Sequence, residues 1–408
     1  MSHFGRPAPA ARRRRRGGHR AAILYAGGVT YRPWRALLAT AAVAASISAC
    51  SFGPPPPDET GEPPNLPTPS TSAEAPDQSV VASVVAQDLH TPWGIDFLPD
   101  GSALVTERES ARILRVSPSP DGESAYTTEE LQVVDEAEPA GEGGLMGIAV
   151  SPDYQDDGTV YIFYTAAEDN RIAKLTLGEE PDPIVTGIPK STNHNGGQLS
   201  FGPDGMLYAT TGDAGDAEAA QDRDSLAGKI LRMTPDGEVP DDNPFDDSLV
   251  YTLGHRNSEG LAWNADGELF ATEFGADSAD EVNRIEAGEN YGWPEVEGTG
   301  GDDEFVDPVV TWDPAEASCA GASFADSVLV TACLRGERLW TIEFTENGTT
   351  VGEPTASLTG ELGRLRAVAE APDGTLWIST SNREKDQPRD GDDQIIRIVA
   401  GGSTEGQT

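Results

Sequence analysis

Cysteine is nearly absent from this 408-residue chain, with three residues in all, at positions 50, 319 and 333. None stands in a CxxC pair, which argues against a cysteine-built metal cluster or dithiol redox centre. Histidine is almost as scarce: five in total, of which only His90, His194 and His255 lie beyond residue 50. Positive charge is also in short supply, 28 Lys and Arg against 69 Asp and Glu. Nine of the 28 are arginines before residue 51, so the remainder carries 28 − 9 = 19 basic residues and a net charge near −50. A field of that sign repels polyanions and makes nucleic acid a poor partner. The most apolar stretch, Ala36–Ala49, has 14 residues, short of the ~20 that a spanning helix needs. No stretch beyond it carries a convincing helical period, and short alternating runs dominate.

Four segments follow from composition. Residues 1–50 contain nine Arg, no acid, the apolar stretch and the ending Ile47-Ser48-Ala49-Cys50, the pattern of a secretory signal. That ending resembles a bacterial lipobox, which implies a lipidated Cys50. The expected product is exported and held at the outer face of the bacterial cell membrane by its lipid anchor alone. Residues 51–78, rich in proline and poor in apolar side chains, predict a disordered tether. Residues 79–400 form the folded domain, and 401–408 a disordered tail. With Cys50 assigned to lipid, Cys319 and Cys333 remain as an even pair in an exported chain and are expected to bond.

The domain repeats itself. PWGIDFLPDGSALVTE (from Pro92), LMGIAVSPDYQDDGTVYIFYT (Leu145), GGQLSFGPDGMLYATTG (Gly196), SEGLAWNADGELFATE (Ser258), CAGASFADSVLVTA (Cys319) and LRAVAEAPDGTLWIST (Leu365) share one plan. Each enters on small residues, runs as an alternating strand, turns at an aspartate and returns as a second strand. The turn aspartates are Asp100, Asp153, Asp204, Asp266, Asp326 and Asp373, spaced 47 to 62 residues apart. A third strand of the form apolar-x-Arg-apolar recurs at Ile113–Val116, Ile230–Met233, Val282–Ile285 and Ile396–Ile398. Six all-β units of about 50 residues predict a six-bladed β-propeller. Its last blade is expected to be completed by pairing of the 394–399 strand with the 79–85 region. A pair of β-sandwiches would explain the repeats poorly. Two insertions, 214–225 and 295–305, read as long loops over one face.

In a propeller, the loops entering each inner strand form the channel mouth. Those loops hold the unusual residues: Glu142 in GEGG, His194 in NHN, Arg256 and Asn257 in GHRN, and the pair Arg364 and Arg366. Arg335 follows Cys333 closely. Where cations are this rare, convergence of Arg256, Arg335, Arg364 and Arg366 predicts a site for an anionic ligand, since guanidinium forks pair with carboxylates. A lone arginine at any one of these positions would read as an inter-blade ion pair. His194 is a base in a small-residue loop, and the hairpin after it ends on Asp213.

At larger scale the runs HNGGQLSFGPDGMLYATTGD, LGHRNSEGLAW, EFGADSADEVNRIEAGENYGWP and GEGGLMGIAVSPDY, with Arg364-x-Arg366, resemble the quinoprotein glucose/sorbosone dehydrogenase family. That family comprises soluble glucose dehydrogenase and aldose sugar dehydrogenases. The resemblance extends from about Val81 to Val399 in the right order. It implies a six-bladed propeller using pyrroloquinoline quinone (PQQ) and Ca2+ to oxidise a sugar, with electrons passed to a quinone or cytochrome. Carried over position by position, it implies that His194 is the general base and Asp213 orients it. Arg256, with Asn257 beside it, would stabilise charge on the quinone oxygen. Arg364 and Arg366 would hold the cofactor's carboxylates, with Arg335 in a slot that is basic in the family. The resemblance further puts the carbonyls of Gly275 and Ala276 on the cofactor-bridging ion, and Glu281 with the Tyr291 carbonyl at a structural ion. Three positions depart from it: Glu142 replaces a neutral glutamine beside the cofactor, and Phe274 and Ala276 replace a polar residue and a proline. Glu142 and Phe274 favour a second reading, a propeller that binds a ligand or partner without catalysis. A third reading, a calcium-dependent hydrolase, would need carboxylates where the entry loops carry arginine.

Overall fold

The computed structural model describes residues 81–120, 125–301, 303–345, 350–384 and 388–399. The expected signal, Cys50, the tether and the 401–408 tail lie outside these. Six four-stranded antiparallel sheets make up the domain. In chain order the first strand is β1 (Val81–Ala86). Blade one follows as β2 (Pro92–Phe97), β3 (Ala103–Glu107), β4 (Arg112–Pro118) and β5 (Tyr126–Val133), and blade two as β6 (Leu145–Val150), β7 (Thr159–Thr165), β8 (Asn170–Thr176) and β9 (Asp182–Ile188). Blade three is β10 (Leu199–Phe201), β11 (Leu207–Thr211), β12 (Lys229–Met233) and β13 (Val250–Leu253). Blade four is β14 (Ser258–Trp263), β15 (Leu269–Glu273), β16 (Asp280–Ile285) and β17 (Val310–Trp312). Blade five is β18 (Cys319–Ala325), β19 (Val328–Cys333), β20 (Arg338–Phe344) and β21 (Thr350–Ser357). Blade six comprises β22 (Leu365–Glu370), β23 (Leu376–Thr380) and β24 (Ile395–Val399), with β1 as its outer strand. Val81 pairs with Val399, so the two ends of the domain close the ring as the repeats predicted. That closure matters because it ties the first blade to the last and removes a free sheet edge. Among the described residues, the only helical pieces are α1 (Tyr154–Asp157) and a 3-10 turn at Ala217–Ala220. None is long and apolar enough to cross a membrane.

The repeated sequence features have distinct physical jobs. The third-strand arginine pairs with the turn carboxylate of its own blade: Arg115 with Asp100, Arg232 with Asp204 at 2.9 Å, and Arg397 with Asp373 at 2.8 Å. In blade four the partner is instead Glu268, 3.5 Å from Arg284. At three turns the aspartate also accepts the amide two residues on, from Ser102, Met206 and Thr375, the local bond that makes aspartate a turn former. Blade two differs from the expected pattern, because α1 extends its turn and Asp157, not Asp153, receives the Thr159 amide. Blade four uses Asn264 in place of Asp266 for the same purpose. Apolar side chains from neighbouring sheets interlock between blades. One such layer sets Phe97 of blade one edge-on to Trp377 of blade six, with ring centres 5.3 Å apart.

Inner strands crowd together around the channel. A Cβ on Gly147 of β6 would stand 2.2 Å from the Gly197 carbonyl oxygen at the entry to blade three, so only glycine lets the blades approach this closely.

Cys319 and Cys333 form the expected disulfide, joining the start of β18 to the end of β19 across 14 residues of sequence. It pins the entry loop of blade five beside Arg335. Replacing both cysteines by serine is expected to cost about 3 kcal/mol in the loop-closure treatment, read as a lower Tm. A Tm equal to that of the unmodified protein would show that the ring alone holds this loop.

Candidate active site

His194 occupies the loop entering blade three in a left-handed conformation, φ 55°. Histidine tolerates that region better than most residues, and such backbone geometry concentrates at functional sites. Beneath it, a Cβ on Gly212 would lie 2.0 Å from the His194 carbonyl oxygen, so glycine lets the end of β11 pass directly under the histidine. That passage delivers Asp213. Its Oδ1 lies 2.8 Å from His194 Nδ1. Asp213 is 2% exposed, and the histidine side chain 17%. Burial pushes the Asp213 carboxyl up, but hydrogen bonds from His194, the Gly215 amide and the Trp293 indole outweigh it and hold the group below the ordinary carboxylate range. An ionised Asp213 can only accept, so Nδ1 carries the proton of this hydrogen bond.

Glu142 and Asn257 brace this loop. Glu142 accepts the His194 backbone amide at 2.7 Å. Asn257 is fully buried; it accepts the Gly196 amide through Oδ1 and donates to Glu259 through Nδ2.

A cavity of about 360 Å3 adjoins the histidine loop through Glu142. Arg335, Arg364 and Arg366 line it as expected, with Phe274 on the same wall. Arg256 is the predicted cation that does not join them. Its guanidinium donates to the Phe274 and Gly275 carbonyls at 3.0 and 2.8 Å, and lies 5.4 Å from the Trp293 ring centre. The Gly275 oxygen, expected on a bridging cation, therefore accepts from Arg256 here. Ala276 donates its amide to Glu297 at 2.6 Å.

Three cavity residues escape the sequence reading. Arg108 follows Glu107 at the end of β3, the slot that Phe274 fills after Glu273 in blade four. Glu384 accepts from Arg108 at 2.7 Å and from Arg364 at 2.7 Å, with Arg366 at 3.4 Å. Burial opposes ionisation of Glu384, yet Arg366, Arg108 and Arg364 together pull its carboxyl down to about 2. Glu259, 5% exposed, takes the other arm of Arg366 at 2.8 Å. Burial pushes the Glu259 carboxyl up more than Arg366 lowers it.

The second predicted ion position lies on the neighbouring strands. Glu281, on β16, faces Glu273 across the β15–β16 ladder. Glu281 Oε2 accepts from Asn283 and Oε1 from the Gly298 amide. Burial first, and then the charge of Glu273, push the Glu281 carboxyl well up. The Asn283 side-chain oxygen is buried without a hydrogen-bond partner. Tyr291 stacks on His255 with ring centres 4.8 Å apart. Among the described residues, no group of three or more His, Cys, Asp or Glu is poised to hold a metal ion. Any cation here must draw partly on carbonyl and amide oxygens, as the Tyr291 expectation requires.

The model of glucose/sorbosone dehydrogenases matches residues 89–389, the described domain almost end to end. The chain belongs to the glucose/sorbosone dehydrogenase family. A solved structure of the PQQ-bound aldose sugar dehydrogenase of Streptomyces coelicolor is 47% identical, with a TM-score of 0.74, over 79% of this chain and 99% of that one. The aldose sugar dehydrogenase YliI of Escherichia coli is 29% identical over 74% of this chain and 90% of its own length. Quinoprotein glucose dehydrogenase B of Acinetobacter calcoaceticus is 33% identical over 57% of this chain, a match spanning 56% of that enzyme. The resemblance seen in the motifs around His194 and Arg256 is thus borne out at the level of family. The family's six-bladed ring is present in full.

Proposed function

We propose that this protein is a PQQ-dependent dehydrogenase that oxidises an aldose or related sugar, with His194 as the general base. One observation carries the reading: an Asp213-oriented histidine stands beside a cavity whose three converging guanidinium groups already hold a carboxylate, that of Glu384. PQQ is a polycarboxylate, so this donor set suits it. Arg108 Nε, buried without a partner, offers one further donor. Calcium suits the oxygens of Glu281 and Asn283, where an unpartnered amide oxygen and a carboxyl disfavoured as an anion would both gain from a hard divalent cation.

Bound PQQ would supply the electrophilic carbon that accepts the hydride. His194 Nε2 then takes the hydroxyl proton of the sugar, while Asp213 holds the ring and balances the imidazolium charge. Arg256, held by the Phe274 and Gly275 carbonyls, would offer a guanidinium to negative charge developing on the bound cofactor. Arg364 and Arg366 bind and orient through charge.

Titrating the purified apoprotein with PQQ, with and without Ca2+, and then assaying dye reduction over a panel of sugars tests the proposal. Saturable micromolar binding with sugar-dependent reduction is expected. The competing reading, a propeller that binds without catalysis, draws support from Glu259 and Glu384 satisfying the arginines internally; failure to bind PQQ at micromolar concentrations would favour it.

Export and anchoring through Cys50 are part of the same proposal, and would put the site near a membrane quinone or cytochrome. Metabolic labelling with a tagged fatty acid should mark the protein and be lost in Cys50→Ala. Equal labelling of the variant would rule out the anchor.

A further inference from the structure

Trp293 belongs to neither the entry loops nor the arginine cluster, yet it touches three segments of the site. Its backbone amide donates to the Gly254 carbonyl at 2.9 Å, and its carbonyl accepts from Gln221 at 2.7 Å. Its indole Nε1 donates to Asp213 Oδ2 at 2.9 Å. The ring faces the Arg256 guanidinium at 5.4 Å. The two oxygens of Asp213 therefore have separate tasks. Oδ1 receives His194 Nδ1 and the Gly215 amide at 2.8 and 2.7 Å, and Oδ2 receives the indole. A carboxylate turns about a soft terminal torsion. Fixing Oδ2 therefore fixes where Oδ1 points, and with it the histidine ring.

We infer that Trp293 is a positioning residue that locks the Asp213 carboxylate onto His194 and holds Arg256 in register with that pair. The inference rests on the dehydrogenase reading and adds a coupling between its proton-accepting side and its charge-stabilising side. The indole N–H does the first task and the indole face the second, so the two can be separated chemically.

Trp293→Phe removes the N–H and keeps an aromatic face for Arg256. In the PQQ- and Ca2+-loaded enzyme, kcat is expected to fall about 10- to 100-fold, the scale of one hydrogen bond to a charged group, with PQQ affinity and KM little changed. In an Asp213→Ala background the same substitution should have almost no further effect, because the residue through which it acts is gone. Benzothienylalanine at position 293 deletes only the N–H at constant shape, and should reproduce the loss even if the phenylalanine variant is unstable. In the apoprotein, the His194 Nδ1 proton should be visible by NMR and exchange with water faster in either variant. Additive effects of Trp293→Phe and Asp213→Ala, or loss of PQQ affinity with kcat and proton exchange unchanged, would overturn the inference and leave Trp293 as packing for Arg256. A wild-type protein that binds PQQ and reduces no dye with any sugar would instead overturn the dehydrogenase reading itself.

Discussion

Replacing His194 by alanine is expected to lower kcat by roughly 10²–10⁴-fold, the usual contribution of a positioned general base, while PQQ still binds. The reason is spatial separation. The arginines that line the cavity come from blades one, five and six, whereas His194 stands on the entry to blade three and meets that cavity through Glu142. Removing its imidazole deletes the proton acceptor without disturbing an arginine ion pair of the cavity. It does leave the buried Asp213 with one donor fewer, so a modest fall in Tm accompanies the kinetic loss. Asp213→Asn is the companion test. A neutral amide can no longer enforce the proton on Nδ1, and kcat should fall while the fold persists. Loss of PQQ binding in His194→Ala, with chemistry otherwise intact, would move the histidine from catalysis to cofactor recognition.

The second large effect is expected at Arg366. Its side chain is 5% exposed and lies between Glu259 and Glu384. Arg366→Met strips a nearly buried carboxylate, Glu259, of its counter-charge, a change that typically costs about 3–5 kcal/mol. The sign with pH follows from Glu259, whose carboxyl burial already holds above its ordinary value. A carboxyl raised in the folded state stabilises the fold most while it is protonated, and that stability is lost as pH rises through the folded value. The Arg366→Met penalty should therefore be large at neutral pH and shrink as the medium is acidified. Adding Glu259→Gln should restore much of the Tm, because both charges of the pair are then gone, but should leave PQQ affinity low. A single variant with the parent Tm and parent PQQ affinity would contradict both roles.

The architecture was legible because each blade restates it. Six inner strands, their turns and their partners recur at a period that no sandwich accounts for, and the arginine of the third strand is explained by the turn carboxylate it meets in the same blade. Local exceptions marked the limit: a short helix transfers the turn bond of blade two from Asp153 to Asp157, and nothing in a single repeat announces that transfer. The pairing of His194 with Asp213 was legible for a similar reason, since the two flank one hairpin. What stayed hidden joins blades far apart in sequence. Arg108 and Glu384 are 276 positions apart, Glu259 and Arg366 are 107, and Asp213 and Trp293 are 80. Ring closure brings these residues together, and in the linear chain Glu259 is only one more strand residue of SEGLAW. Arg256 illustrates the converse. Its charge was visible, but the carbonyls of Phe274 and Gly275 that draw it away from the arginine cluster become its neighbours only once blade four has folded.

The most direct test of the account is single-turnover mixing of the PQQ- and Ca2+-loaded protein with an aldose, following the cofactor's absorbance in the parent chain and in His194→Ala. Rapid sugar-dependent reduction in the parent, slowed by two or more orders of magnitude in the variant at equal PQQ occupancy, is the predicted result. No reduction in the parent, or equal rates in the two proteins, would contradict it.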